Sequence, residues 1–154
     1  MKKLSSILLF SIICFSFSIK DSNTLEWKMW EEAEKKSEAE NKLIMVYLYT
    51  DWCGWCRKLE SETLSDEKVI SRLNAGFNSV KVNPEKKAEY HYNGVTMNYR
   101  VFTDKISHGK LKKYPLIVFI NPATKKTYFQ EGFISADEFY DLLDKVRKSI
   151  QSKK

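Results

Sequence analysis

A continuous apolar run, Leu43 to Thr50 (LIMVYLYT), passes directly into Trp52-Cys53-Gly54-Trp55-Cys56. The run is rich in β-formers and has no polar alternation, the pattern of a strand buried on both faces. Cys56 to Leu64 has helical character, so two thiols spaced i, i+3 lie where a buried strand becomes a helix. A sulfur at a helix N-terminus meets unsatisfied N–H groups and the positive end of the macrodipole, which favour its thiolate. Cys53 is therefore expected to be the attacking, partly exposed sulfur. Cys56, one turn in, is the shielded one that would resolve a mixed disulfide. Gly54 is expected to let the turn form without steric cost, and Trp55 brings no charge.

Three chemistries compete for such a pair. A zinc knuckle needs two further ligands, and the chain offers only His91 and His108, both in an irregular stretch. A purely structural disulfide would close a very short loop and stabilise little. A redox pair fits the strand-to-helix context best.

Around this centre the chain reads as an ordered series of elements. Leu25 to Asn41 predicts an amphipathic helix with Leu25, Met29 and Ala33 on one face and Trp30 in a second row. Ser65-Asp66-Glu67 opens another helix through Leu73, with Val69, Ile70 and Leu73 as its apolar face. Phe77 to Val82 alternates as a strand and ends at Asn83-Pro84. Leu116 to Ile120 (LIVFI) is a second fully apolar strand, introduced by Tyr114-Pro115. The turn Asn121-Pro122-Ala123-Thr124 leads into Lys126 to Glu131 as a hairpin closed by Gly132. A last helix begins at Ser135-Ala136-Asp137-Glu138, buries Phe139, Leu142, Leu143 and Val146, and ends in basic residues. Between Pro84 and Lys113 the chain is polar and Tyr-rich, and Val95 to Phe102 is expected to form an extra strand or hairpin arm.

The start of the chain reads as an export signal. Lys2 and Lys3 precede a mostly apolar stretch from Leu4 to Phe17, and Ser16 and Ser18 suit a cut after residue 18, or as late as 20. An uncleaved anchor is the alternative, although the stretch is short for a span of ~20 residues. Lipid attachment at Cys14 is disfavoured by Ile13 before it. Either way the domain, residues 22–154, is expected to work outside the cytoplasm, with Cys53 and Cys56 as its thiols. The 154 residues carry 26 Lys+Arg against 20 Asp+Glu, a formal charge of +6. Lys2, Lys3 and Lys20 supply half of that excess, so little remains to argue for a nucleic-acid partner. With 43% hydrophobic and 30% charged residues the chain is globular and of single-domain size.

The strand–WCxxC–helix arrangement, with Tyr114-Pro115 before an apolar strand and hairpin, resembles the thioredoxin-like superfamily over roughly residues 43–150. The N-terminal helix and the wording Trp-Cys-Gly-Trp-Cys-Arg-Lys-Leu-Glu are similar to exported members, including relatives of the C-terminal domain of DsbD. The resemblance implies an α/β fold: a central mixed sheet flanked by helices, an extra N-terminal helix, and an insertion at about 86–112. In that family a cis-proline lies against the active-site disulfide, and the residue before it pairs its backbone with the substrate peptide. Pro115 and Tyr114 match those positions, since Pro84 follows the wrong strand and Pro122 lies in a turn. Trp52, Gly54, Trp55, Tyr114 and Pro115 would then form the docking surface around catalytic Cys53 and Cys56.

Two departures stand out. Thioredoxins usually carry a buried Asp six residues before the first cysteine, where this chain has Tyr47. Proton transfer would then use water or Glu60, four residues after Cys56 on the same helix face, although a solvated Glu60 paired with Lys58 or a neighbour is the favoured reading. Pro115 also lies thirty-two positions after Asn83, about twice the family's spacing. The added segment, with Tyr90, His91, Tyr92, Tyr99, Phe102 and His108, either shapes partner choice or covers a small core of its own. The same two readings apply to Arg57 and Lys58, as local positive potential or as solvated surface. The resemblance implies an exported, periplasmic thiol–disulfide oxidoreductase, a reductase in preference to an oxidase or isomerase. It would need no bound cofactor or metal, act as a monomer on cysteine-containing exported proteins, and draw on an upstream redox partner. A non-catalytic binding module is the remaining alternative.

Overall fold

The computed structural model describes residues 23–150. The export signal expected at 1–18 and its alternatives fall outside those residues. The described elements begin with β1 (Trp27–Lys28), α1 (Trp30–Glu40), β2 (Leu43–Leu48), α2 (Gly54–Glu62), α3 (Glu67–Gly76) and β3 (Phe77–Val82). An inserted unit follows, made of β4 (Glu89–Tyr92), β5 (Val95–Asn98) and α4 (Tyr99–Ser107). The chain then completes the sheet with β6 (Leu116–Ile120) and β7 (Thr127–Glu131) and closes with α5 (Ala136–Ile150).

The main sheet has five strands in the order β1-β3-β2-β6-β7. β1 and β2 run parallel to β3, whereas β6 is antiparallel to both β2 and β7. All six residues of β2 are buried, as its unbroken apolar sequence predicts for a central strand covered on both faces. Successive side chains alternate between the two layers. Leu43, Met45 and Tyr47 join a core with Leu59, Val69, Leu73, Phe139 and Leu143 from α2, α3 and α5. Ile44, Val46 and Leu48 face a second core with Trp30, Ala33, Phe102 and Ile106, from α1 and α4. The sheet is thus flanked by helices on both sides, with the insertion on the α1 side.

Local chemistry sets the element ends. The Asp66 carboxylate accepts from the Lys68 and Val69 N–H groups and starts α3. Before α5 both the Ser135 N–H, at 3.2 Å, and the Ser135 hydroxyl, at 2.6 Å, donate to Glu138 Oε2. The Asn121 side chain accepts from Ala123 and Thr124 in the hairpin turn and donates to the Ile150 carbonyl at 2.8 Å, tying the hairpin to α5.

Three expectations need correction. The helix foreseen from Leu25 begins at Trp30, because Trp27 and Lys28 are extended and pair with Ser79 and Val80 at the sheet edge. Its inward face is consequently Trp30, Ala33 and Ser37, and Met29 is 72% exposed. Val95 to Phe102 divides between a strand and a helix. The break is Asn98, whose side-chain oxygen accepts from the Arg100 and Val101 N–H groups and so caps α4.

Candidate functional site

The end of β2 delivers the chain into the α2 N-terminus. Cys53 is the N-cap of α2, and its Sγ accepts from the Cys56 N–H at 3.1 Å. The Cys53 N–H donates to the Thr50 carbonyl at 3.2 Å, fixing the turn that leads into the helix. Cys53 and Cys56 are bonded to one another, with Cα atoms 5.2 Å apart. Both are enclosed, and Cys53, at 5% exposure against 1% for Cys56, is the more accessible. That order agrees with the sequence expectation, although Cys53 is far less open than foreseen. Reduced, this sulfur would have a backbone donor and a helix dipole aimed at it, both of which favour a thiolate.

Gly54 has no positive φ, and a Cβ built on it would meet nothing closer than Arg57 Nη2 at 3.9 Å. The steric need foreseen for a glycine in this turn is therefore not present: position 54 is an ordinary first helical residue.

Large rings flank the pair. Trp52 is 65% exposed, donates from Nε1 to Glu85 Oε1 at 2.9 Å, and meets the Tyr114 ring edge-on at 6.0 Å between centroids. Tyr114 packs against the core that contains both cysteines, and burial first, then the Glu85 charge, raises its phenol above the usual range. The Tyr114–Pro115 peptide is cis, Pro115 is buried, and its carbonyl accepts from the Gly132 N–H at 2.8 Å. Trp55 is 58% exposed, near Phe133, with Lys58 Nζ 5.5 Å and 4.7 Å from the two ring centroids. Arg57 donates to the Asp51 carbonyl at 3.1 Å, so neither cation simply solvates the helix face.

Beneath the disulfide, Tyr47 replaces the expected acid. Its buried hydroxyl lies 3.2 Å from the Cys56 carbonyl oxygen and 3.1 Å from Glu60 Oε1. Burial is the main cause that pushes the Tyr47 phenol far up, and the Glu60 charge adds to it. Glu60 also pairs with Lys81 at 3.0 Å, whereas Lys58 takes Glu62 at 3.9 Å. The favoured reading of Glu60 as a solvated partner of Lys58 is thus corrected. The carboxylate is half-buried and linked through a phenol to the peptide of Cys56. Lys81 was missed by sequence reasoning. It was detectable as the single charged residue in the otherwise buried strand Phe77–Val82.

The candidate zinc ligands are engaged elsewhere. His91 Nδ1 lies 3.3 Å from Thr96 Oγ1, and the His108 ring meets Phe129 edge-on. Among the described residues no group of three or more His, Cys, Asp or Glu could hold a metal ion. No helix among them is long and apolar enough to cross a membrane.

A mixed sheet flanked on both faces, a dithiol pair at the first turn of the helix after its central strand, and a cis-proline before β6 define a thioredoxin-fold protein with a Cys-x-x-Cys disulfide. The chain belongs to the family described as "Protein of unknown function, DUF255" (Thioredox_DsbH), which it matches over residues 17–154. It is 30% identical over 112 residues to spermatogenesis-associated protein 20 of Rattus norvegicus, covering 70% of this chain and 13% of that one. It is 26% identical over 137 residues to the thiol:disulfide interchange protein DsbD of Actinobacillus pleuropneumoniae, covering 85% and 21%. The chain therefore spans about a fifth or less of these relatives' length. The solved structure titled "DsbH Oxidoreductase" superposes with a TM-score of 0.59 at 20% identity, over 84% of this chain and 87% of that one.

Proposed function

We propose that the chain is an exported thiol–disulfide oxidoreductase that reduces disulfides of exported proteins. The observation that carries this reading is Cys53 itself: an N-cap sulfur bonded to Cys56 and accepting its N–H, with Trp52 and Tyr114 forming an open rim beside it. Reduced Cys53 attacks one sulfur of a substrate disulfide, forming a mixed disulfide and expelling the other substrate sulfur as a thiolate. Cys56, deprotonated, then attacks Cys53 Sγ and releases the second substrate thiolate. The substrate gains two electrons and the chain is left with the Cys53–Cys56 bond, the state described here. An upstream dithiol must return those electrons.

Trp52, Gly54, Trp55, Tyr114 and Pro115 form the surface on which the substrate rests. Among the described residues Tyr114 makes no backbone hydrogen bond, so its peptide groups can pair with an extended substrate. The preference for reduction rests on the two residues between the cysteines, Gly54 and Trp55. Neither is a histidine or other cation that would hold the Cys53 thiolate strongly and make the disulfide oxidising. The relatives' printed names, thiol:disulfide interchange among them, support the same chemistry.

The direct test is the reduction potential of the pair, equilibrated with dithiothreitol or glutathione and followed by the fluorescence of Trp52 and Trp55. A value near about −270 mV supports a reductase, and one near about −120 mV would make the chain a disulfide donor instead. A Cys56→Ser variant should accumulate mixed disulfides at Cys53. If it captures no cysteine-bearing protein in cells, the attacking role of Cys53 fails.

A further inference from the structure

The insertion is fastened down and not a loose arm. Phe102 is fully buried, stacked on Tyr90 at 4.1 Å and edge-on to Trp30 at 4.9 Å. Trp30 Nε1 also donates to the His91 carbonyl at 2.9 Å. Tyr90, Tyr92 and Phe102 are thereby spent on packing, and the unit's free chemistry is its charge. Residues 86–113 hold seven basic side chains (Lys86, Lys87, Arg100, Lys105, Lys110, Lys112, Lys113) against two acids, Glu89 and Asp104. The rest of the chain after residue 20 is slightly acidic, so the insertion holds the whole positive excess of that region. Of those seven cations only Lys86 pairs with a carboxylate among the described residues, Asp51 at 3.4 Å.

This charge adjoins the redox pair. A groove of about 300 Å³ runs between α4 and the segment leading to the cis-proline, lined by Pro84, Arg100, Asp104, Leu111 and Tyr114 among others. Tyr114 is shared between the groove and the site, because its ring also meets Trp52. Exposed Lys112 and Lys113 lie immediately before it. An extended chain that pairs with Tyr114 therefore enters a groove whose charged lining is Arg100 and Asp104, with exposed Lys112 and Lys113 next to Tyr114 in the chain.

Resting on the exchange reading above, we propose that the insertion selects substrates by charge: the groove takes the segment flanking the substrate's cysteine, and prefers segments rich in Asp and Glu. An acidic polypeptide fits better than a nucleic acid. The occupant must present a sulfur to Cys53, which a polypeptide does through cysteine and a nucleic acid does not.

The test uses the reduced full chain and four oxidants: hydroxyethyl disulfide, and three disulfide-containing peptides flanked by acidic, neutral or basic tracts. Oxidation rates are read by Trp fluorescence. The acidic peptide should react about tenfold faster than the basic one at low salt, and the difference should collapse in about 0.5 M NaCl. Reversing Arg100, Lys112 and Lys113 to Glu should abolish or invert the preference without changing the rate for hydroxyethyl disulfide, which is too small to reach the groove. Reversing Lys145 and Lys148 on α5 should leave the preference intact.

Equal rates for acidic and basic peptides, or a preference that survives the Arg100/Lys112/Lys113 reversal, would overturn the proposal while leaving the exchange reading standing. An oligonucleotide that competes as well as the acidic peptide would overturn it too, as a general polyanion surface. No reaction with hydroxyethyl disulfide would remove the exchange reading, and this proposal with it.

Discussion

The Tyr47 hydroxyl stands between two acceptors, the Cys56 carbonyl oxygen at 3.2 Å and Glu60 Oε1 at 3.1 Å, and has one hydrogen to give. While Glu60 is ionised, the phenol can donate to only one of them. Once Glu60 takes a proton, its own O–H can donate to the Tyr47 oxygen, and the phenol is freed for the Cys56 carbonyl. The protonation state of Glu60 is thus tied to the hydrogen bonding of the Cys56 peptide. Lys81 pairs with the same carboxylate at 3.0 Å.

From this arrangement Glu60→Gln is expected to slow resolution of the mixed disulfide severalfold, because it removes the carboxylate that competes with the Cys56 carbonyl for the Tyr47 hydrogen. Tyr47→Phe should slow it to a similar extent and shift the pH profile of the same step, because the carboxylate remains but its link to Cys56 is cut. Single-turnover release of a fluorescent thiol from a preformed mixed disulfide measures both. Unchanged rates and pH profile in both variants would leave Tyr47 and Glu60 as packing residues only.

Gly54→Ala should be tolerated by the fold. The glycine is helical and has open space where a Cβ would go, so the substitution removes unfolded-state freedom at no steric cost. Stability should stay level or rise by up to about 1 kcal/mol, read as the urea midpoint of the oxidised protein. A drop of that size would mean that position 54 has a backbone requirement not visible in its geometry.

The redox pair, the cis-proline and the sheet were legible because each has a local signature. β2 is a run of six apolar residues, and Cys53 and Cys56 occupy the first turn of the helix that follows. Tyr114-Pro115 precedes the matching apolar strand. What escaped depends on contacts between distant positions. Trp27 looked helical because Leu25, Met29 and Ala33 share a spacing. Yet β1 forms there by pairing with Ser79 and Val80, some fifty residues away. The N-terminal segment is held by Asn74, whose side chain donates to the Thr24 carbonyl at 2.9 Å and accepts from the Glu26 N–H at 3.3 Å. Glu60 gave no local hint that it would meet Tyr47 and Lys81, since β2, β3 and α2 converge only in the folded sheet.

Phe102→Ala tests whether the insertion folds as part of the domain. Its ring contacts Tyr90 and Tyr92 within the insertion and Trp30 outside it, in a core continuous with β2 and β6. Removing a fully buried phenylalanine typically costs about 3–5 kcal/mol. The loss should appear in global unfolding, with fluorescence and far-UV circular dichroism moving together. An early transition confined to the insertion would instead mark it as a separate folding unit.

Alkaline pH supplies a final check on the buried phenols. Burial raises Tyr47, Tyr90, Tyr92 and Tyr114 above the ordinary tyrosine value in the folded state. In the unfolded chain they lose their protons at about pH 10. Above that pH the unfolded state binds fewer protons than the folded one, so stability falls as pH rises. The contribution is complete below about pH 10 and is lost progressively as the folded values are approached. Urea midpoints between pH 9 and 11.5 should therefore decline, and Tyr47→Phe should decline less steeply than the parent. In the folded protein the phenolate absorbance should report an incomplete titration over that range. A flat urea midpoint, or all eight tyrosines titrating together near pH 10, would show that these hydroxyls are not sequestered.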